Sequence, residues 1–258
     1  LVASAATVVH ADPNWPSKPI TIVVPFPAGG GTDAFARPLS AQLTKQMGKQ
    51  IIIDNRGGAG GTLGAGIAAK AAPDGYTFFM GGAHHAIAPS MYPKLDYDIE
   101  KSFVSVMLVA SPPQVVVVNT KLPVNDLKGL IDYAKKNPGK LNYASAGNGS
   151  AHHLAGELFK MQTKTFLTHI PYRGAGPALS DLIAGQVDMM FDGLGSSSQH
   201  IKSGKIKALG MFSGKRLQGA PEVPTIQEAG GPALESSTWV MFLAPAGTPP
   251  AVVNRLSQ

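Results

Sequence analysis

The residues best placed to do chemistry in this chain stand where apolar runs give way to helices. In Ile20-Thr-Ile-Val-Val-Pro-Phe-Pro-Ala-Gly-Gly-Gly-Thr-Asp33 a strand-like run meets three glycines and then Thr32 and Asp33, residue types that cap helices. Glycine lets a backbone approach a ligand closely. The unpaired N–H groups and positive dipole end of the next helix attract carboxylate or phosphate. The junction therefore reads as an anion cradle. Asn55-Arg-Gly-Gly-Ala-Gly-Gly-Thr62 after Ile51-Ile-Ile53 repeats it, as does Ser145-Ala-Gly-Asn-Gly-Ser150 after Leu141-Asn-Tyr-Ala144. Such repetition points to one small acidic ligand held mainly by backbone.

Side chains near the cradles add candidates. Arg173, in Pro171-Tyr-Arg-Gly-Ala-Gly176, is either a bidentate partner for a ligand carboxylate or a surface residue at a strand end. Asp192, after Val187-Asp-Met-Met-Phe191, can take a ligand amine, order a cradle N–H, or cap the helix that begins near Gly193; capping is the simplest reading. Asp33 has the same choice, and its place just after the glycines favours capping. Two adjacent pairs, His84-His85 and His152-His153, lack both H-E-x-x-H spacing and a carboxylate cluster, so no metal site is expected. Adjacent side chains diverge, so one histidine of each pair is expected to meet ligand while its neighbour packs or faces solvent.

Two enzyme readings compete with simple binding. Gly29-Gly-Gly31-Thr-Asp-Ala34 fits the G-x-G-x-x-A dinucleotide pattern, with Asp54 where a ribose would be held, so an NAD-binding oxidoreductase is the alternative function. Pro25 and Pro27 flank the turn and speak against it, and an exported protein rarely meets NAD. Ser150, His152 and Asp192 supply hydrolase letters in order, but Gly147-Asn-Gly-Ser150-Ala lacks the G-x-S-x-G elbow, and a Ser at a helix start is more simply an N-cap. No cofactor is expected.

The elements that must position these residues follow from periodicity. Strand-length apolar runs at 20–26, 50–54, 76–80, 114–119, 141–144, 166–170, 187–191, 206–211 and 238–243 alternate with helix-like segments at 32–47, 61–71, 126–137, 150–162, 175–184 and 193–203. Alternation of this kind predicts an α/β fold of mostly parallel sheets flanked by helices. Ala110-Ser-Pro-Pro113 reads as a crossover between two lobes, residues 13–110 with 221–258 and residues 111–220, with the ligand cleft between them. A short last helix follows Pro249-Pro250 and stops after scarcely two turns, so truncation is expected there.

Bulk composition narrows the class. With 258 residues, 44% hydrophobic and 15% charged, the chain has enough apolar material for folded cores. Its net charge of +6 is spread without any block of five like charges, which argues against nucleic-acid binding. The absence of cysteine excludes disulfides and thiolate chemistry and fits an exported protein. Leu1-Val-Ala-Ser-Ala-Ala-Thr-Val-Val-His-Ala11 looks like the tail of a secretory signal, so residues 1–12 are expected to be a signal remnant or disordered extension. No long apolar surface repeat appears, which points to a monomer.

Across nearly its whole length the sequence resembles the tripartite tricarboxylate transporter substrate-binding proteins, the Bug receptors. The resemblance is carried by Trp15-Pro-Ser-Lys-Pro-Ile20, Val24-Pro-Phe-Pro-Ala-Gly-Gly-Gly-Thr-Asp33, Asp54-Asn-Arg-Gly-Gly-Ala-Gly-Gly61, Pro73-Asp-Gly-Tyr-Thr77, Tyr143-Ala-Ser-Ala-Gly-Asn-Gly-Ser150, His169-Ile-Pro-Tyr-Arg-Gly174 and Gly185-Gln-Val-Asp-Met-Met-Phe-Asp192. It implies a periplasmic two-lobed receptor, of the type II-like binding-protein fold, that closes on a small organic anion and passes it to membrane permease subunits without catalysis. The implied ligand-binding residues are Phe26, Ala28, Gly30, Gly31, Thr32 and Asp33 in the first lobe and Ser145, Gly147, Asn148, Ser150, His152, Arg173 and Asp192 in the second. Gly58, Ala59 and His84 should line the same mouth. Family members continue beyond the Pro249-Pro250 helix. The ligand itself stays open among monocarboxylates, dicarboxylates, aromatic acids and amino acids.

Overall fold

The structure, a computed structural model, describes residues 14–258; the signal-like stretch at residues 1–12 lies outside them. The first sheet runs in the order β2 (Ile51–Asn55), β1 (Ile20–Val24), β3 (Thr77–Gly82), β10 (Val240–Pro245), β4 (Phe103–Ala110). The second runs β7 (Thr168–Pro171), β6 (Asn142–Ser145), β8 (Met189–Gly193), β5 (Gln114–Asn119), β9 (Ile206–Met211). Within each, three strands pair in parallel, while β10 and β5 run antiparallel to both neighbours. The two sheets are thus mixed for one reason. A chain crossing from the other lobe enters at the cleft edge, where the parallel strands end, so it must run against them. Val240 accordingly stands opposite Gly82, and Gln114 opposite Gly193.

Helices cover both faces of each sheet. Ile20, Ile22 and Val24 pack with Ala36 and Leu43 of α1 (Gly31–Met47) and with Val252 and Leu256 of α8 (Pro250–Leu256). Val23 faces the other way, onto Ala65 and Ala68 of α2 (Thr62–Ala69). In the second lobe Val116 and Val118 join Leu130 of α4 (Leu127–Lys136) and Phe159 of α5 (Ala151–Thr163). Val115 and Val117 join Leu179 and Leu182 of α6 (Ala175–Ala184). This two-residue alternation buries both faces of the central strands, which is why they read as unbroken apolar runs. Two elements were not foreseen. The helix α3 (Ala83–Met91) is short, contains Pro89 and follows a glycine pair that mimics a turn. The edge strand β4 leaves Val104 and Leu108 exposed, so its apolar run carries no clean alternation.

The lobe boundary expected at 221 falls later. Val223 and Ile226 are buried in the cores of the second sheet, Ile226 N donates to Met211 O at 2.9 Å, and Gln114 N donates to Ser236 O at 3.0 Å. With no periodic apolar pattern of its own, this stretch gave the sequence reading nothing to hold it to either lobe. The return crossover lies beside the first, with Thr238 N donating to Pro112 O at 3.1 Å and Pro113 bridged to Ser237. We therefore place the first lobe at residues 14–110 and 238–258 and the second at 111–237.

Candidate functional site

Between the lobes lies a cavity of about 40 Å³, against the roughly 10–15 Å³ that one water requires. Five helices begin at its wall: α1 with Gly30, Gly31 and Thr32, α3 with His84, α5 with Ser150, Ala151 and His152, α6 with Ala175, and α7 (Leu194–Lys202) with Gly193, Gly195 and Ser196. Each follows the carboxyl end of a parallel strand, the edge at which ligands bind open α/β sheets. No lining side chain carries a formal charge: Phe26, Phe35, Ala146, Pro112, Thr238 and Val240 complete the wall. Positive potential at this wall therefore comes from helix ends rather than from lysine or arginine.

The first-lobe cradle is braced from behind. The buried Asp33 carboxylate accepts from Gly29 N at 3.0 Å, Arg37 Nε at 2.7 Å and Asn55 Nδ2 at 3.1 Å, and Asn55 Nδ2 also reaches Phe26 O at 2.8 Å. Burial works against this charge, but the bonds from Arg37, Gly29 and Asn55 outweigh it and hold the pKa below the usual carboxylate value. Asp33 thus fixes the loop that precedes the helix and is absent from the cavity wall. Backbone packs directly on backbone between the lobes: a Cβ added at Gly176 would stand 2.7 Å from the Ala28 carbonyl oxygen and 3.4 Å from Gly30 N. Gly174, at φ +141°, sits against the Pro27 ring, which a Cβ there would meet at 2.8 Å. The lobes are closed.

The histidine pairs split. His84 lines the cavity, edge-on to Phe26 at 4.6 Å between ring centroids, with its Nε2 unpaired. Burial, with His85 and His152 adding to it, holds its pKa well below the usual imidazole value. His85 turns into the first-lobe core against Phe79, accepts from Gly82 N at 3.0 Å, and is pushed by burial to a pKa of about 4. His152 lines the cavity with Nδ1 unpaired and Nε2 3.5 Å from Asp192 Oδ1. Burial lowers its pKa and the neighbouring Asp192 charge offsets part of that. His153 stacks on His169 at 4.1 Å.

Asp192 is wholly buried and does not cap α7, contrary to the simplest expectation. Its Oδ2 accepts from the hydroxyls of Ser196, at 2.7 Å, and Ser197, while Oδ1 has no hydrogen-bond donor. It stands behind His152 rather than on the wall. Ser150 caps α5, accepting from His153 N at 3.3 Å, and among the described residues no hydrogen bond joins it to His152, so no nucleophile–base pair forms. Among the described residues no three His, Asp or Glu gather as metal ligands.

Of the expected ligand residues, Phe26, Gly30, Gly31, Thr32, His84, Ser150 and His152 come together on the wall. Ala28, Gly58, Ala59, Ser145, Gly147, Asn148 and Arg173 do not. Arg173 is exposed; Ser145 bonds His169 Nε2 at 2.6 Å; Asn148 receives Tyr92 OH on its carbonyl at 3.2 Å, across the mouth. Phe35, Ala175, Gly195 and Ser196 were missed. Phe35 follows Gly31 by four residues, and one helical turn from a cradle glycine was signal enough to find it. Pro112 and Thr238 belong to the crossovers and Val240 opens β10 just after one of them, and these stretches carry no local mark of a site.

The chain is similar to known proteins in sequence and in fold. Residues 35–258 match the family model described as "Tripartite tricarboxylate transporter family receptor". The chain is 38% identical over 258 residues to BugT of Bordetella pertussis, covering 99% of this chain and 79% of that protein. Among solved structures it resembles an R. palustris protein crystallised with adipate, at 39% identity and TM-score 0.91, covering 94% of this chain and 81% of the other. MatC from Rhodopseudomonas palustris with bound malate gives 38% identity and TM-score 0.87, covering 94% and 83%. These relatives are solute receptors rather than enzymes, which overturns the oxidoreductase alternative; Asp54, its ribose anchor, pairs instead with Arg56 at 2.9 Å. The chain belongs to the tripartite tricarboxylate transporter receptor family and is a solute receptor.

Proposed function

We propose that this receptor works in the periplasm, binds a small organic carboxylate in the inter-lobe cavity, and hands it as a monomer to the membrane permease subunits of a tripartite transporter. The observation that carries the reading is the convergence of five helix N-termini on a cavity without a charged side chain. Such a wall recognises negative charge through N–H groups and dipoles. The adipate and malate held by the two relatives are small carboxylates and support the same class. Closure adds affinity by removing water from the bonds so formed. Phe26, Gly30, Gly31, Thr32, His84, Ser150 and His152 are the residues proposed to meet the ligand.

Thermal unfolding of ligand-stripped protein with small acids and with their amides tests this. A ligand at a hundred times its Kd adds about 2.7 kcal/mol to stability. Propionate or succinate should raise the Tm while propionamide and succinamide leave it unmoved. Equal stabilisation by acid and amide would show that charge is not what the cavity reads.

A further inference from the structure

The same cavity carries information about the ligand beyond its carboxylate, and the inference rests on the carboxylate reading above. Two buried polar atoms of one cluster lack partners, His152 Nδ1 and Asp192 Oδ1, with His152 only 8% and Asp192 0% exposed. The carboxylate oxygen 3.5 Å from His152 Nε2 favours the proton on that nitrogen. The other nitrogen, Nδ1, is then a lone-pair acceptor. Ser196 and Ser197 hold Asp192 Oδ2, so the carboxylate cannot swing away to find another partner. The helix ends supply donors at the rest of the wall. Cavity chemistry is therefore two-ended, with donors for an anion and an unpaired acceptor on His152. His84 Nε2, also unpaired, belongs to the opposite lobe.

We propose that His152, positioned by Asp192, selects acids that carry a hydrogen-bond donor, a hydroxyl or an ammonium group, over acids of the same skeleton without one. An unsubstituted acid leaves the buried nitrogen unpaired, whereas a substituted one satisfies it. A site built around such an atom discriminates strongly against the analogue that lacks the partner.

Calorimetric titration with two matched series tests this: succinate, malate and aspartate, and propionate, lactate and alanine. In at least one series the hydroxy or amino acid should bind on the order of 10- to 100-fold tighter than its parent. Which of the two does so distinguishes hydroxyl from ammonium. His152→Leu should reduce that ratio to near unity. His152→Asn, whose side-chain oxygen can stand near the Nδ1 position, should retain it where His152→Gln does not, and this pair decides the matter if the leucine variant fails to fold. Equal binding within each series by the wild type, or a ratio that survives both His152→Leu and His152→Gln, overturns the proposal while leaving carboxylate binding intact. No binding by any of the six acids removes the carboxylate reading and this inference with it.

Discussion

Asp33 and Asp192 occupy comparable places in the two lobes, each a buried acid near the start of a helix that opens on the cavity, yet they are used differently. Asp33 has both oxygens engaged, by Gly29, Arg37 and Asn55, and holds a loop whose glycines line the cavity. Asp192 has one oxygen held by two serine hydroxyls and the other left open beside His152. A saturated carboxylate braces its own loop, while Asp192 keeps one oxygen for His152 Nε2 and so sets which imidazole nitrogen accepts. In the proposed site both lobes turn helix ends toward the charge, the first with the Gly30–Gly31 backbone and the second with the starts of α5, α6 and α7. The second lobe adds the Asp192–His152 pair, which on the inference above reads the rest of the molecule.

The largest effect that would test this division comes from the backbone seam. In Gly176→Ala the new methyl group would stand 2.7 Å from the Ala28 carbonyl, which is backbone and cannot turn aside. Gly176 lies inside α6, where alanine is the better helix former by about 1 kcal/mol. The second lobe should therefore keep or gain stability while closure is blocked. Carboxylate affinity is expected to fall by roughly 100-fold or more, because donors from both lobes can no longer surround one ligand. Gly219→Ala, with nothing within 4 Å of its added Cβ, serves as the control. Unchanged affinity in Gly176→Ala would show that binding needs no backbone contact between lobes.

Those contacts mark the limit of what the sequence disclosed. The glycine-rich junctions, the parallel strands before them and the helices after them were legible because glycine, capping residues and apolar period are local signals. Gly176 was visible as a glycine, but its opposition to Ala28 depends on two lobes folding and meeting. The duties of Asp33 and Asp192 were likewise hidden, since capping, bracing and ligand contact all call for the same residue type at the same spot. The stretch from 221 to 237 failed for another reason: its attachment is a series of single hydrogen bonds and buried side chains without a period.

A smaller effect concerns acid stability. His85 is buried in the first lobe with a pKa of about 4, against about 6.5 in an unfolded chain. Above pH 6.5 it is neutral in both states and its environment costs nothing. As pH falls below 6.5 the unfolded chain takes up the proton and the folded one does not, so folding stability declines until about pH 4. That one group gives a loss of roughly 3 kcal/mol. His84 and His152, depressed in the same direction, steepen the decline. Urea unfolding at pH 7 and pH 4.5 should show it, and His85→Asn, though less stable overall, should show a shallower pH slope. A flat profile above pH 4.5 would mean that these imidazoles do not stay neutral in the fold.

The smallest effect belongs to the residue that looked most like a ligand clamp. Arg173 is the cation nearest a second-lobe cradle in sequence, and a guanidinium there suits a bidentate carboxylate contact. In the structure it is exposed and absent from the cavity wall, while its neighbours Gly174 and Ala175 carry the seam and the helix end. A charge in that position acts only through solvent, where screening leaves little of it. Arg173→Ala should therefore weaken carboxylate binding by no more than about twofold at 0.15 M salt, with the difference shrinking further as salt rises. A tenfold loss, persisting at high salt, would put a side-chain charge where helix ends now stand and would erase the contrast between the two lobes.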